Sequence, residues 1–117
     1  MKVNTRQVGS ITILDLNGKI TLGDDLPQLR QTIRDLLAQG HKNILLNLAD
    51  VSYIDSAGLG ELVSANVAAT NRGGQLKLLH LTKRVSDLLQ ITKLSTVFDT
   101  YEDEAEAIAS FPKAAGA

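Results

Sequence analysis

The sequence predicts an α/β fold with a mostly parallel β-sheet. Short strand patterns alternate with amphipathic helix patterns after an opening pair of strands, in the order β-β-α-β-α-β-α-β-α. The third strand pattern, NILLNL at 43–48, is almost continuously apolar, as in a strand that is buried on both faces of a sheet. Together these patterns favour parallel strands joined by helical crossovers, preceded by one antiparallel hairpin.

The opening hairpin is predicted from strand patterns at 2–8 and 10–17, joined by a tight turn at residues 8–10. Apolar residues alternate with polar ones in SITILDLN, as a half-buried strand requires. Gly18 is expected to end the second strand, and residues 19–25 to form a short extension and a loop.

The first helix is expected to begin at Asp24 or Asp25, either of which can act as its N-cap. Pro27 suits the first turn, where its missing N–H has no partner in any case. Gly40 is a good C-terminal stop. The apolar face that follows from helical spacing consists of Leu26, Leu29, Ile33, Leu36 and Leu37.

Three further helices and two strands complete the prediction. The second helix follows the stretch ADVSYIDSAGLG and ends at Arg72-Gly73-Gly74; its predicted apolar face is Leu59, Leu62, Val63 and Val67. A strand is expected at 75–80. Thr82 can cap a third helix that runs to about Gln90, with Val85, Leu88 and Leu89 on one side. A strand near 97–100 and a helix over 102–111 follow, with acidic residues favouring the start of that helix.

The composition excludes several functional classes. The 117 residues suit one domain, expected over 1–111, with a frayed tail at 112–117. The net charge of −1 does not provide the basic surface that nucleic-acid binding needs. The absence of cysteine excludes disulfides, thiolate metal sites and cysteine catalysis. No signal peptide or membrane span is recognisable, so a cytoplasmic protein is expected.

The stretch YIDSAGLG at 53–60 is the segment most suited to chemistry. It follows a strand and opens a helix, which is where α/β folds usually present functional groups. The free N–H groups and the dipole of a helix start favour an anion there. Gly58 and Gly60 would let another molecule approach closely, and as poor helix formers they are not explained by packing alone.

Three interpretations of Ser56 remain open from these residues. It, or Asp55, can be a helix N-cap with no further role. It can be a nucleophile, although Ile54 replaces the first glycine of the G-x-S-x-G elbow and only His41 and His80 could serve as a base. It can also be a phosphate acceptor, since a phosphoserine adds about −1.5 to −2 charges at a position where a helix start tolerates them.

The segment LNLADVSYIDSAGLGELVSA resembles the central part of STAS domains, typified by bacterial anti-sigma factor antagonists. The pattern D-S-A-G-L-G after the third strand carries the resemblance. It is supported by Gly18-Lys19-Ile20 at the end of the hairpin and by Gly73-Gly74 before the fourth strand. The resemblance covers nearly the whole chain and implies the STAS type of mixed sheet with four helices.

The resemblance also implies a function by reversible binding and not by catalysis. Such proteins bind an ATP-dependent anti-sigma factor serine kinase and so release a sigma factor. The kinase phosphorylates the serine of the motif, which corresponds to Ser56, and a phosphatase restores the binding form. ATP and Mg²⁺ would belong to the kinase, because this chain has no G-x-x-x-x-G-K loop; no cofactor, metal or direct nucleic-acid contact is expected.

The partner surface implied by the resemblance surrounds Ser56. Its expected members are Thr21, Asp24, Asp55, Ala57, Gly58, Leu59 and Thr82. Many relatives carry an acidic residue where this chain has Thr21, so Asp24 or Asp25 is expected to supply that charge, or the partner differs. Other STAS domains serve as stressosome scaffolds or as subunits of lipid-transport ATPases, and a non-switching role of that kind is the alternative.

Overall fold

A five-stranded mixed sheet organises the chain, and its strands lie side by side in sequence order. The computed structural model describes residues 1–23 and 25–112. The strands are β1 (Lys2–Val8), β2 (Ile11–Ile20), β3 (Asn43–Ile54), β4 (Gln75–Leu79) and β5 (Thr100–Tyr101), and the helices are α1 (Asp25–Ala38), α2 (Ser56–Asn71), α3 (Lys83–Ile91) and α4 (Glu104–Ser110). Among these five strands, only the β1–β2 pair is antiparallel. The predicted fold class and element order are therefore confirmed.

The two faces of the sheet are covered unequally. Side chains from α1, α2 and α3, including Leu29, Leu62 and Leu89, join the inward residues of the strands in one large core. The opposite face has a smaller cluster beneath α4, which contains Ala107 and Phe111. Alternation along β2 explains the division, because consecutive side chains of a strand point to opposite faces.

The first helix agrees with its predicted apolar face and C-terminal stop; it begins at Asp25, while Asp24, the other candidate N-cap, lies outside the described residues. All five residues of the predicted apolar face are buried, and the helix is followed by Gly40 with φ +88°, a left-handed conformation that glycine adopts without strain. The predicted tight turn between β1 and β2 is also present, and Gly9 takes a φ of +60° there.

The predicted ends of β2 and β3 were wrong. Gly18 does not end β2, which continues to Ile20, and β3 continues from Leu48 to Ile54. The two extensions pair with each other in parallel, and register shifts near Asn17 and Gly18 accommodate them. Their backbone groups gain partners in this way, which neither segment reveals on its own.

The predicted buried face of α2 was partly wrong. Val67 is 51% exposed and Val63 is only half-buried, while Ala65 and Ala69 are buried in the core. The small alanine side chains allow α2 to lie close to the sheet, and burial follows the position on the helix more than the hydrophobicity of the residue.

The predicted strand at 97–100 was also misplaced. Phe98 is buried in the main core and lies outside the strand, which consists of Thr100 and Tyr101.

The ends of β4 and α4 also differ from their predictions. The strand β4 ends at Leu79, one residue before its predicted end, because His80 has a φ of +56° that a strand cannot hold. The last helix is shorter than predicted, from Glu104 to Ser110, with Asp103 as its N-cap.

Charged side chains connect α4 to strands β1 and β2 on the second face of the sheet. Arg6 donates hydrogen bonds of 2.6 and 3.0 Å to Asp15 and one of 2.7 Å to Glu104 in α4. Asn47 donates a further 2.9 Å hydrogen bond to Asp15. These bonds lower the pKa of Asp15, chiefly through Arg6, so its carboxylate is charged at neutral pH.

Lys77 anchors the other end of α4. Its side chain is 6% exposed, and Nζ donates to both the carbonyl oxygen (3.2 Å) and the hydroxyl (3.0 Å) of Ser110. The same ammonium lies 5.5 Å from the ring centroid of Tyr101 and 5.0 Å from that of Phe111. This buried cation thus bonds the last carbonyl of α4, which lacks a partner within the helix.

Within residues 1–23 and 25–112, none of the helices has the length and apolar character needed to cross a membrane.

Candidate functional site

The parallel pairing of β2 and β3 positions the candidate site. Ile20 lies beside Ile54, so the two strands end at the same edge of the sheet. The loop from β2 to α1 and the start of α2 therefore meet at one place. Such a meeting of strand ends and a helix start is the usual location of binding groups in α/β folds.

Asp55 connects the two segments. Its backbone is extended, with φ −99° and ψ −179°, and its Oδ1 accepts a 2.7 Å hydrogen bond from the amide of Gly58. Its Oδ2 accepts a 2.9 Å hydrogen bond from the amide of Leu22 in the β2–α1 loop. The amide of Asp55 donates in turn to the carbonyl of Ile20, at 3.3 Å. Asp55 is thus both the N-cap of α2 and the tether of the neighbouring loop.

The hydrogen bonds to Asp55 also determine its charge. The amides of Leu22 and then Gly58 stabilise the carboxylate and lower its pKa below the ordinary value of aspartate. The side chain is therefore ionised at neutral pH. It adjoins Ser56, which the STAS resemblance implies is phosphorylated.

Ser56 is the first residue of α2 and is exposed. Since Asp55 provides the cap, the serine hydroxyl is not needed for it, and it has no hydrogen-bond partner in the part of the chain that the structure describes. Its hydroxyl is accessible to another protein and stands beside the free N–H groups of a helix start.

The structure explains why position 58 is a glycine, which the sequence alone did not. A Cβ at this position would overlap the carbonyl group of Ile20, so the backbone of β2 occupies the space that was predicted to be open for another molecule. Gly60 is different, because among the described residues a Cβ there would meet no atom within 4 Å beyond its chain neighbours and the backbone of its own helix. The prediction that packing does not explain these glycines is wrong for Gly58.

Comparison with known proteins identifies the family. The family model described as the STAS domain matches residues 2–107. The chain belongs to the STAS domain family.

Relatives of this STAS domain include anti-sigma factor antagonists. The anti-sigma-B factor antagonist of Bacillus subtilis (strain 168) is 40% identical over 73 residues, which are 62% of this chain and 66%, just under two thirds, of the relative's length. The anti-sigma-B factor antagonist of Staphylococcus aureus (strain NCTC 8325 / PS 47) is 31% identical over 77 residues, which are 66% of this chain and 71% of that protein.

Solved structures agree on the fold. A Thermotoga maritima protein, a candidate anti-sigma factor antagonist, superposes with a TM-score of 0.86 at 26% identity and covers 92% of both chains. The Bacillus protein SpoIIAA in its phosphorylated form has a TM-score of 0.73 at 22% identity, over 92% of this chain and 97% of its own. At that identity the second likeness concerns the fold alone.

The other predicted partner residues of this STAS domain differ in accessibility. Ala57 and Thr21 are half-buried, and Thr21 Oγ1 donates a 3.5 Å hydrogen bond to Asp25. Leu59 is only 3% exposed and Gly58 is buried, so both lie beneath the surface that surrounds Ser56. Asp24 lies outside the described residues.

Thr82 lies at the start of α3, as predicted. Its hydroxyl accepts a 3.3 Å hydrogen bond from the amide of Val85 and so caps the helix. Together with Ala49, His80 and Glu102 it lines a shallow depression of which Ser56 is not a part. The structure therefore places His80, the candidate base of the hydrolase interpretation, in a different surface feature from the serine.

Sequence reasoning missed three exposed residues near the site. Leu22 is 77% exposed on the loop that Asp55 tethers, and Tyr53 at the end of β3 is 39% exposed. The guanidinium of Arg84 lies 5.4 Å from the ring centroid of Tyr53, so the start of α3 adjoins the end of β3. Leu22 could have been found from the sequence, since a leucine in a loop between a strand and a helix start suggests an exposed apolar contact. No sequence pattern predicted the contact between Tyr53 and Arg84.

Proposed function

We propose that this STAS domain is an anti-sigma factor antagonist that works by partner switching. Its unphosphorylated form binds an ATP-dependent anti-sigma factor serine kinase, which then releases a sigma factor. Phosphorylation of Ser56 by that kinase abolishes binding, and a phosphatase restores it. The domain acts in the cytoplasm by binding, without catalysis of its own.

The observation that carries this proposal is the division of roles between Asp55 and Ser56. Asp55 makes the hydrogen bonds that begin α2, whereas the exposed hydroxyl of Ser56 makes none in the described chain. A phosphoryl group on Ser56 therefore leaves the capping bonds intact. The partial positive charge of the helix start further reduces its effect on the fold.

Phosphorylation of Ser56 is expected to affect binding much more than it affects the fold. The phosphoserine adds about −1.5 to −2 charges beside the ionised carboxylate of Asp55. In a complex, both groups would lose water, and burying charge without a partner is costly. The modification thus acts on the complex while the free domain remains folded.

The proposed partner surface combines residues with two roles. Ser56, Ala57, Thr21 and Asp24 meet the partner, together with the cap Asp55. Gly58 and Leu59 support the helix start from beneath, because their positions in the core hold α2 against Ile20 and the sheet. Thr82 contributes by fixing the start of α3.

A direct test uses the anti-sigma factor kinase from the same genome, purified and incubated with this domain. With ATP, mass spectrometry is expected to find one phosphoryl group on Ser56 and none in Ser56→Ala. In a binding assay, Ser56→Ala should stay bound in the presence of ATP, and Ser56→Asp should bind more than tenfold more weakly than the wild type.

Ser64→Asp is the matched control, because Ser64 is an exposed serine of the same helix and the substitution adds the same charge. It should bind the kinase as the wild type does. An unmodified Ser56 would contradict the switch. Equal binding by Ser56→Asp and the wild type would instead favour a STAS scaffold or regulatory subunit that does not switch.

A further inference from the structure

A groove of about 510 Å³ lies beside the Ser56 surface. Tyr53 and Ile54, at the end of β3, form one wall. The outer side of α3 forms the other wall with Lys83, Arg84, Asp87, Leu88 and Ile91. Ile54 directly precedes Asp55 and Ser56, so one wall of the groove ends two residues before the candidate phosphoacceptor along the chain.

The groove exposes apolar side chains, of which Leu88 also packs against the main core. Ile91 is 78% exposed and Tyr53 is 39% exposed, while Leu88 is half-buried. Arg84, Leu88 and Ile91 follow each other at helical spacings of four and three, so they form one stripe along α3. Val85 and Leu89, on the other side of the helix, are buried in the core.

The charges in the groove are also not explained by the stability of α3. Lys83 and Arg84 occupy its first turn, where the helix dipole favours acidic residues, and that turn contains none. Among the described residues, neither side chain has a carboxylate within 4 Å. Arg84 instead lies over the ring of Tyr53. This end of the groove therefore carries two cations without a close carboxylate, and, with Asp87 counted, one net positive charge that an anion from another molecule can pair with.

We infer that this groove binds an amphipathic, acidic segment of the same anti-sigma factor whose kinase site meets Ser56. The apolar side chains of that segment contact Tyr53, Leu88 and Ile91, and a carboxylate pairs with Lys83 and Arg84. The inference rests on the proposed function, since it assigns a second contact to that partner.

The charge of the groove favours this occupant, and its length accommodates a short helix. Asp87 offsets one of the two cations, which leaves a single net positive charge and favours a segment with one or two carboxylates over a polyanion. The nine residues of α3 span about 13.5 Å, which matches two to three turns of a partner helix. A helix in an apolar groove, held by residues at i, i+4 and i+7, is a common mode of peptide recognition.

Substitutions at the two ends of the groove test the inference by titration with the purified anti-sigma factor kinase. Arg84→Glu and Ile91→Ser are each expected to weaken binding at least tenfold, with Ser56 still phosphorylated at high kinase concentration. Arg34→Glu and Val67→Ser are the matched controls, because both side chains are exposed on other helices. They should change the affinity less than twofold. Thermal unfolding confirms that all four variants are folded.

The absence of cysteine in the chain permits a second test. A photo-crosslinker attached to Ile91→Cys should label the anti-sigma factor in a peptide that contains both apolar and acidic residues, and the same reagent at Val67→Cys should not. Crosslinking to a basic or wholly polar peptide would overturn the inference.

The outcomes separate the two proposals. If the wild type binds the kinase and both groove variants bind equally well, the groove inference is wrong and the proposed function stands. If the wild type does not bind, both are wrong. Sedimentation over a concentration series tests whether the groove instead binds a second copy of the chain. A dimeric wild type together with monomeric Arg84→Glu and Ile91→Ser variants would assign the groove to that second copy and overturn the inference.

Discussion

The carbonyl group of Ile20 occupies the space where a Cβ of Gly58 would lie, so the last residue of β2 and the first turn of α2 are closely packed. Only a residue without a side chain fits between them. The contact brings the β2–α1 loop to the start of α2, and Asp55 then holds the two together through the amide of Leu22.

Gly58→Ala should therefore destabilise the domain by about 1–3 kcal/mol, the usual cost of forcing an extra carbon into a packed site. Gly60→Ala is the control within the same helix. Its Cβ meets nothing within 4 Å, so better helix propensity should stabilise the domain by about 0.5–1 kcal/mol. Urea unfolding of the two variants measures both effects, and equal changes would contradict the proposed contact.

Asp55→Ala should lower the midpoint of thermal unfolding and loosen the loop between β2 and α1. Both follow from the same carboxylate, which accepts from Gly58 and from Leu22. Hydrogen exchange is the informative measurement: the amides of Leu22 and Gly58 should lose protection together. Ser56→Ala should leave both amides protected. Loss of protection at Gly58 alone would show that the loop does not depend on Asp55.

The stability of the domain should fall as the pH is lowered below about 4. The pKa of Asp15 is held down chiefly by Arg6, and that of Asp55 by backbone amides. The unfolded chain, with ordinary carboxyl pKa values near 4, then binds protons before the folded one does. The stabilisation is fully present above that range and is lost as the pH falls through the lowered pKa values.

Urea unfolding at a series of pH values from about 7 to about 3 measures this dependence. Asp15→Asn should have a flatter slope than the wild type in the acid range, because one of the two groups no longer titrates. An unchanged slope would show that the bonds from Arg6 do not persist in solution.

Lys77→Met should destabilise the domain by about 1–2 kcal/mol, because Ser110 loses a charged donor at the end of α4. The methionine retains most of the apolar contacts of the lysine stem. The same substitution at Lys2, an exposed residue of β1, is the control and should have little effect. Faster hydrogen exchange confined to α4 would confirm that the buried cation acts on this helix; a uniform increase would contradict it.

The features that sequence predicted well depend on neighbours along the chain. The apolar face of α1 and its glycine stop are local patterns, and both agree with the structure. The D-S-A-G-L-G pattern likewise located the start of α2, with Asp55 rather than Ser56 as the cap.

The features that sequence missed depend on partners elsewhere in the chain. The true length of β3 follows from the extension of β2 beside it, and the need for Gly58 follows from the carbonyl of Ile20. The contact of Arg84 with Tyr53 joins two elements that are separated by a helix and a strand. No spacing rule connects such residues, because their separation along the chain is set by the topology.

In the proposed switch, the residue that caps α2 differs from the residue that accepts the phosphoryl group, and this difference has an evolutionary consequence. Asp55 holds the helix start, so replacement of Ser56 would remove the proposed regulation at little cost to folding. Under that proposal, a gene duplicate could lose the switch, or become permanently active, through one codon while it keeps its structure. We expect inactive and constitutive paralogues to arise readily from such a domain, and the aspartate to be retained in lineages that have lost the serine.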